Sequence, residues 1–287
     1  MKLSTNPRIA FAIIFVLLIF FLLALKGVIY LPPAVQVGPL NLHFYSIAIL
    51  SGIFASAFLV NKYKKKHREL DALDIEEALF WVVIPGIIFA RIWYVIIFAN
   101  VYLQQPLHAL YIWEGGLSIY GAYVGGILGA YFYTKKINVS LLKTLELAFV
   151  FIPIAQILGR FGNFLNQELY GPVTNLPWSM YVRETKTYNH PAFLYEQVGN
   201  AIIFWILFKY YQRNGLKNDG KIIAMYLTLY GIVRFIVDIF RNDAREIAGL
   251  TIAQVISIFM VLGGAGYLLY LKYNPRKGIN RQYNAKN

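Results

Sequence analysis

At 287 residues the chain is 58% hydrophobic and only 14% charged, where a soluble domain carries about 25% charged residues. Recurrent apolar runs of about 20 residues point to a polytopic membrane protein and exclude a soluble domain on a single anchor. The chain has no cysteine, which excludes disulfides, thiolate metal sites and a thiol nucleophile on the protein itself.

In chain order the apolar runs predict helices at about 9–30, 44–61, 76–99, 119–134, 143–162, 192–210, 222–241 and 251–272. The fold class is therefore all-α, a polytopic helical membrane bundle of about eight transmembrane helices. The first run is too long for the apolar stretch of a signal peptide, and Lys26 and Pro32-Pro33 follow it instead of a small-residue cleavage site. It is read as a retained helix.

The net charge of +13 sorts with topology. Nineteen of the 27 Lys and Arg fall at the N-terminus, after the second helix, between the fourth and fifth, between the sixth and seventh, and in the tail. If every helix crosses once, these lie on one side, which is then cytoplasmic along with both termini. The basic excess is an attraction for anionic lipid and not a nucleic-acid footprint. The opposite side favours Arg: Arg91, Arg160, Arg183, Arg234, Arg241 and Arg245 against Lys186. Arg grips phosphate with a planar fork, which suggests phosphate recognition on the outward side.

Residues 113–129 read Trp-Glu-Gly-Gly-Leu-Ser-Ile-Tyr-Gly-Ala-Tyr-Val-Gly-Gly-Ile-Leu-Gly. Gly121, Gly125 and Gly129 recur every four residues, a stripe suited to close helix packing. Gly115 and Gly116 precede the helix in a turn whose free N–H groups would face an anion, and Tyr120 lies one turn inside.

The polar stretch at 159–171, Gly-Arg-Phe-Gly-Asn-Phe-Leu-Asn-Gln-Glu-Leu-Tyr-Gly, closes an apolar run. Arg160, Asn163 and Gln167 are spaced to share a helix face, with Asn166, Glu168 and Gly171 close behind. A charged group there costs about 2.5–3.5 kcal/mol on insertion scales, so these groups need partners, water or a ligand. The seventh helix adds Arg234, Asp238 and Arg241 on one face. One carboxylate cannot neutralise two guanidiniums, so a net positive charge is expected to remain. His190-Pro191 opens the sixth helix; His190 reads either as a base or as a polar cap, and Glu196 suits the positive helix end. No metalloprotease, Walker or nucleophile-elbow motif is present.

Gly159, Arg160, Gly162, Asn163, Phe164, Asn166, Glu168 and Gly171 resemble the signature of the prolipoprotein diacylglyceryl transferase family. The resemblance extends over about 39–272, through the 113–121 stretch, His190-Pro191-x-x-Leu-Tyr-Glu196, and Tyr-Gly-x-x-Arg-Phe at 230–235 running on to Arg241. It implies a seven-helix core, so that 1–38 carries an extra N-terminal helix and its connection, 39–274 is the membrane-embedded catalytic domain, and 275–287 is a basic cytoplasmic tail. It implies a transferase of the bacterial plasma membrane, with its site toward the outer face. The substrates would be phosphatidylglycerol and prelipoprotein signal peptides bearing a lipobox cysteine, within the lipid bilayer. Arg160, Arg234, Tyr120 and Glu168 become catalytic candidates. Tyr45, Asn163, Asn166, Gly171, Asp238, Arg241, Gly115, Gly116, His190 and Glu196 become substrate-binding candidates. Glu168 and Asp238 would orient the two arginines. Many relatives have His where Tyr120 stands, and a Tyr of pKa near 10 is a poor base. The implied reaction requires no metal or cofactor. The rival reading is a transporter of an anionic solute, which would be expected to show paired repeats and broken helices at matching positions; neither is found in the sequence.

Overall fold

The computed structural model describes residues 7–38, 40–217, 219–241, 246–247 and 249–274. Lys2, Arg245 and the tail at 275–287 lie outside the described residues. Helix α1 spans Pro7–Leu25, α2 Phe44–Lys64, α3 Ile75–Ile97, the single turn α4 Ala99–Tyr102, α5 Ile119–Lys136, α6 Leu141–Asn166, α7 Ala192–Asn214, α8 Lys221–Ile239 and α9 Ile252–Tyr273. Five of these, α2, α3, α6, α8 and α9, are long and apolar enough to cross a membrane, as in a polytopic helical membrane protein. In α5 the apolar residues are diluted by glycine and tyrosine, and in α7 by Glu196, Gln197, Asn200, Lys209 and Arg213. Helix α1 is continuously apolar from Phe15 to Leu25.

The first helix ends earlier than expected, at Leu25 instead of residue 30. Gly27 takes φ +75°, and the Lys26 and Val28 N–H groups bond back to the Leu22 and Leu23 carbonyls, a glycine-dependent stop. Three short antiparallel hairpins were not foreseen: β1 Ala34–Val37 with β2 Leu40–His43, β3 Met180–Val182 with β4 Thr187–Asn189, and β5 Glu246–Ile247 with β6 Leu250–Thr251. Strands of two to four residues are too brief to leave a readable alternation.

The chain forms two compact units. Among the described residues the first comprises those within 7–56, 150–215 and 222–274, and so holds α1, the start of α2, most of α6, and α7 to α9. Its core near the end of α6 is Ala24, Leu25, Phe164, Met180, Val182 and Phe193. The Phe164 ring lies 5.2 Å from Phe193 and 5.5 Å from Phe21, which fixes the last turns of α6 against α7 and α1. Gly52 lets α2 lie against α6, since a Cβ there would stand 2.7 Å from the Ala155 carbonyl oxygen. Thr251 and Gln254 start α9 with a reciprocal capping box.

Among the described residues the second unit comprises those within 57–149 and 216–221. Asp74 caps α3, its side chain accepting from the Glu77 N–H at 2.9 Å. The glycine stripe of α5 packs as expected: Cβ atoms at Gly121, Gly125 and Gly129 would collide with the carbonyls of Phe89, Pro85 and Trp81 on α3.

Candidate active site

In the first unit three helices bring their charged residues together. Arg160 on α6 pairs through Nη2 with Glu196 Oε1 on α7 at 2.8 Å, and donates from Nη1 to Asn163 Oδ1 at 3.0 Å. Arg234 on α8 reaches the other Glu196 oxygen at 3.5 Å and pairs with Asp238 at 3.2 Å. Tyr230, one turn before Arg234, donates its hydroxyl to Glu196 Oε1 at 3.0 Å. Thr251 donates to the second Asp238 oxygen, tying the cap of α9 to the network. Glu196 and Asp238 are buried, at 2% and 3% exposure. Bare carboxylates at such depth would be untenable, and here each is held by guanidinium and hydroxyl donors.

The two buried carboxylates, Glu196 and Asp238, offset Arg160 and Arg234, and Arg241 is the charge in excess, in line with the positive remainder expected from the seventh helix. One expectation is corrected. Glu168 was expected to orient an arginine, but it accepts from Asn163 Nδ2 at 2.7 Å, and Glu196 holds Arg160 instead. The cause is backbone geometry. Helix α6 stops at Asn166, Gln167 and Leu169 take φ values of 51° and 57°, and the Glu168 N–H turns back onto the Asn163 carbonyl at 3.1 Å. Gln167 therefore leaves the helix face it was expected to share. It bonds the Tyr181 carbonyl and the Arg183 N–H, at 3.1 and 3.0 Å.

Tyr45 opens α2 and covers Gly162 on α6, where a Cβ would stand 2.5 Å from the tyrosine ring. Asn166 is the last residue of α6. Gly171 lies in a neighbouring cluster. Its N–H bonds the His190 carbonyl at 2.9 Å, its carbonyl accepts from Asn189 Nδ2 at 2.8 Å, and a Cβ would collide with the Phe240 carbonyl. His190 is not a cap: Pro191 occupies that position without a side-chain bond. The His190 ring shares a 2.8 Å hydrogen bond with the Tyr195 hydroxyl and lies 5.3 Å from the Phe240 ring. Arg241 follows α8, its N–H bonded to the Asp238 carbonyl at 3.2 Å.

Tyr120, Gly115 and Gly116 belong to the second unit. Tyr120 is 38% exposed on the first turn of α5. The glycine turn offers its carbonyls, not its N–H groups, to a charged partner. Arg91 Nη1 donates to the Gly115 and Gly116 oxygens, at 2.5 and 3.0 Å, and Nε donates to Ala109 at 2.9 Å. The remaining terminal nitrogen reaches the His108 carbonyl. Arg91 is buried at 5% exposure, so this arginine clasps its own loop. Tyr230 and Thr251 were not assigned roles from sequence. A signal existed for each: Tyr230 stands four residues before Arg234, and Thr251-x-x-Gln254 is a capping-box pattern.

A model of the family described as prolipoprotein diacylglyceryl transferase matches residues 32–270. A phosphatidylglycerol–prolipoprotein diacylglyceryl transferase of Lysinibacillus sphaericus is 38% identical over 259 residues, covering 85% of this chain and 94% of its own. Proteins of the same name from Clostridioides difficile and Thermotoga petrophila are each 36% identical, over 246 and 245 residues. They cover 85% and 82% of this chain, and 96% and 83% of their own lengths.

Proposed function

The chain belongs to the prolipoprotein diacylglyceryl transferase family, and on that premise we propose that it transfers the diacylglyceryl group of phosphatidylglycerol to the lipobox cysteine thiol of bacterial prelipoproteins. The observation that carries the site assignment is the pairing of Arg160 and Arg234 on the two oxygens of one buried carboxylate, Glu196. A guanidinium has five N–H donors. The ion pairs of Arg234 with Glu196 and Asp238 use Nη1 and Nη2 once each, so donors remain for a phosphate. Carboxylates at the rear fix the forks in place, and a rigid donor set stabilises charge without reorganising.

The peptide brings its own thiol, in keeping with a cysteine-free protein. The thiol gives up its proton to water, and the arginines favour the thiolate. Its sulfur attacks the glycerol carbon that bears the phosphate. A carbon–sulfur bond forms as the carbon–oxygen bond breaks, and glycerol phosphate departs with the electron pair. The growing charge on that leaving group lies where the guanidiniums act, so their contribution is greatest in the transition state. Asn163, oriented by Glu168, supplies a further donor. Tyr120 is assigned a binding role through its hydroxyl and not the role of base. Gly171 and His190 shape the wall beside the site, and Tyr45 covers its α2 side.

The membrane arrangement in this reading has eight crossings, both termini in the cytoplasm and the arginine pair near the outer face. Residues 39–274 form the catalytic domain and α1 is an addition before it; the family match, which begins at residue 32, supports that division. The test is release of glycerol phosphate by purified protein in phosphatidylglycerol vesicles. Release should require a lipobox peptide with its cysteine and stop when that cysteine is serine. Release independent of the thiol would refute the transferase reading.

A further inference from the structure

One helical turn from the arginine bridge, the same three helices meet a second time. The antiparallel packing of α6 on α7 runs through Arg160 with Glu196, through Gln197 Nε2 to the Ile157 carbonyl at 2.8 Å, and through the rings of Phe151 and Phe204 at 6.3 Å. In that register Gln156, four residues before Arg160, stands opposite Asn200, four residues after Glu196. Helix α8 repeats the spacing. Tyr226 precedes Tyr230 by four residues, and their rings stack at 5.4 Å with 6° between planes. Gln156 Nε2 donates to the Tyr226 hydroxyl at 2.7 Å.

This second layer is incomplete in its hydrogen bonds. Gln156 Oε1 and both polar atoms of the Asn200 amide are buried without a hydrogen-bond partner among the described residues, and Asn200 is fully buried. Buried amides are nearly always satisfied, because an unmade bond forfeits the hydration the group gave up. An apolar residue of similar size at Asn200 would carry no such penalty. Ordered water settles sites of this kind, donating to carbonyl oxygens and accepting from an amide N–H.

We propose that Gln156 and Asn200 bind ordered water one turn from the arginine bridge, and that this hydrated layer positions the bridge. Water bound to Gln156 and Asn200 fixes the Gln156 amide that holds the Tyr226 hydroxyl. Tyr226 stacks on Tyr230, and Tyr230 donates to the carboxylate that spaces the two guanidiniums. Asn200 is thus a positioning residue that acts through Glu196 and touches no substrate. The assignment of its effect rests on the transferase reading.

The test compares Asn200→Leu and Asn200→Ser with the wild-type protein in phosphatidylglycerol vesicles, measuring Tm, kcat and KM for a lipobox peptide. Asn200→Leu should unfold at the same or a higher temperature, while kcat falls about tenfold and KM stays within about twofold, the size of one lost hydrogen bond acting in the transition state. Asn200→Ser keeps a hydroxyl and room for water, and should stay within about threefold of wild-type kcat. Full kcat in Asn200→Leu, or an equal loss in both variants, overturns the proposal. Should Asn200→Leu fail to fold, an experimental density map of the wild-type protein decides: water between Gln156 and Asn200 supports the proposal, and a direct amide–amide bond overturns it. An inactive wild-type protein would instead remove the transferase premise, and that outcome is distinct from an active wild type with an unaffected Asn200→Leu.

Discussion

Arg160 and Arg234 stand on different helices yet meet on opposite oxygens of Glu196, at 2.8 and 3.5 Å. The carboxylate is a spacer between two positive forks that would otherwise repel. Its replacement by glutamine keeps the shape and removes the charge. Truncating one partner of a buried ion pair typically costs about 3–5 kcal/mol, because the remaining charge is left uncompensated. Glu196→Gln should therefore lower Tm and reduce kcat/KM for diacylglyceryl transfer at least about a hundredfold, some 2.7 kcal/mol. Unchanged Tm with near wild-type transfer would show that the arginines do not need their spacer.

Gly171 tests the neighbouring wall. Any Cβ there meets the Phe240 carbonyl, and the backbone on both sides is hydrogen-bonded to Asn189 and His190. Gly171→Ala should destabilise by about 1–3 kcal/mol, the usual penalty of forced overpacking. Gly263 in α9 has nothing within 4 Å of such a Cβ. Gly263→Ala should be neutral or stabilise by about 0.5–1 kcal/mol through helix propensity. Thermal unfolding of the two variants side by side checks the contrast, and equal behaviour would contradict it.

What the sequence disclosed follows the range of each interaction. Arg160 with Asn163, and Arg234 with Asp238, are three and four residues apart on one helix, so their meeting was legible from spacing. Helix starts at residues 44, 119 and 192 were legible too, because an apolar run began there and Pro191 marked the last. Glu196 lies 36 residues from Arg160 and 38 from Arg234, and only packing could join them. Arg91 shows the other blind spot. Its partners are backbone carbonyls, which leave no pattern in side-chain order, so an arginine that clasps its own loop was counted within an Arg-rich face suited to phosphate. Glu168 was misassigned for a third reason. Left-handed backbone at Gln167 and Leu169, neither of them glycine, carries little advance warning.

The binding role proposed for Tyr120 predicts a loss of about 1–2 kcal/mol of transition-state binding on replacement by phenylalanine, the value of a hydrogen bond to a charged acceptor. Steady-state kinetics of Tyr120→Phe check this. Abolished chemistry with lipid binding intact would assign it a proton-transfer role instead.

The side assignment has its own test. The proposed arrangement, argued from the Lys and Arg bias, has both termini in the cytoplasm. A reporter fused after Asn287 should be active only when it is one that functions inside the cell. Activity of an outside-only reporter at that position would turn the arginine pair to the wrong face.

The measurement that bears most directly on the phosphate clamp is transfer of the diacylglyceryl group to a lipobox peptide, followed by peptide mass, for Arg160→Lys and Arg234→Lys. Lysine keeps the charge and loses the fork. Each variant should fold and lose about 3–5 kcal/mol in kcat/KM, as expected when a donor to developing charge is removed. Arg183→Lys is the control: Arg183 lies 4.3 Å over the Tyr30 ring and is not one of the arginines paired with Glu196, and the variant should transfer at close to the wild-type rate. Full activity of both Arg160→Lys and Arg234→Lys would contradict the clamp.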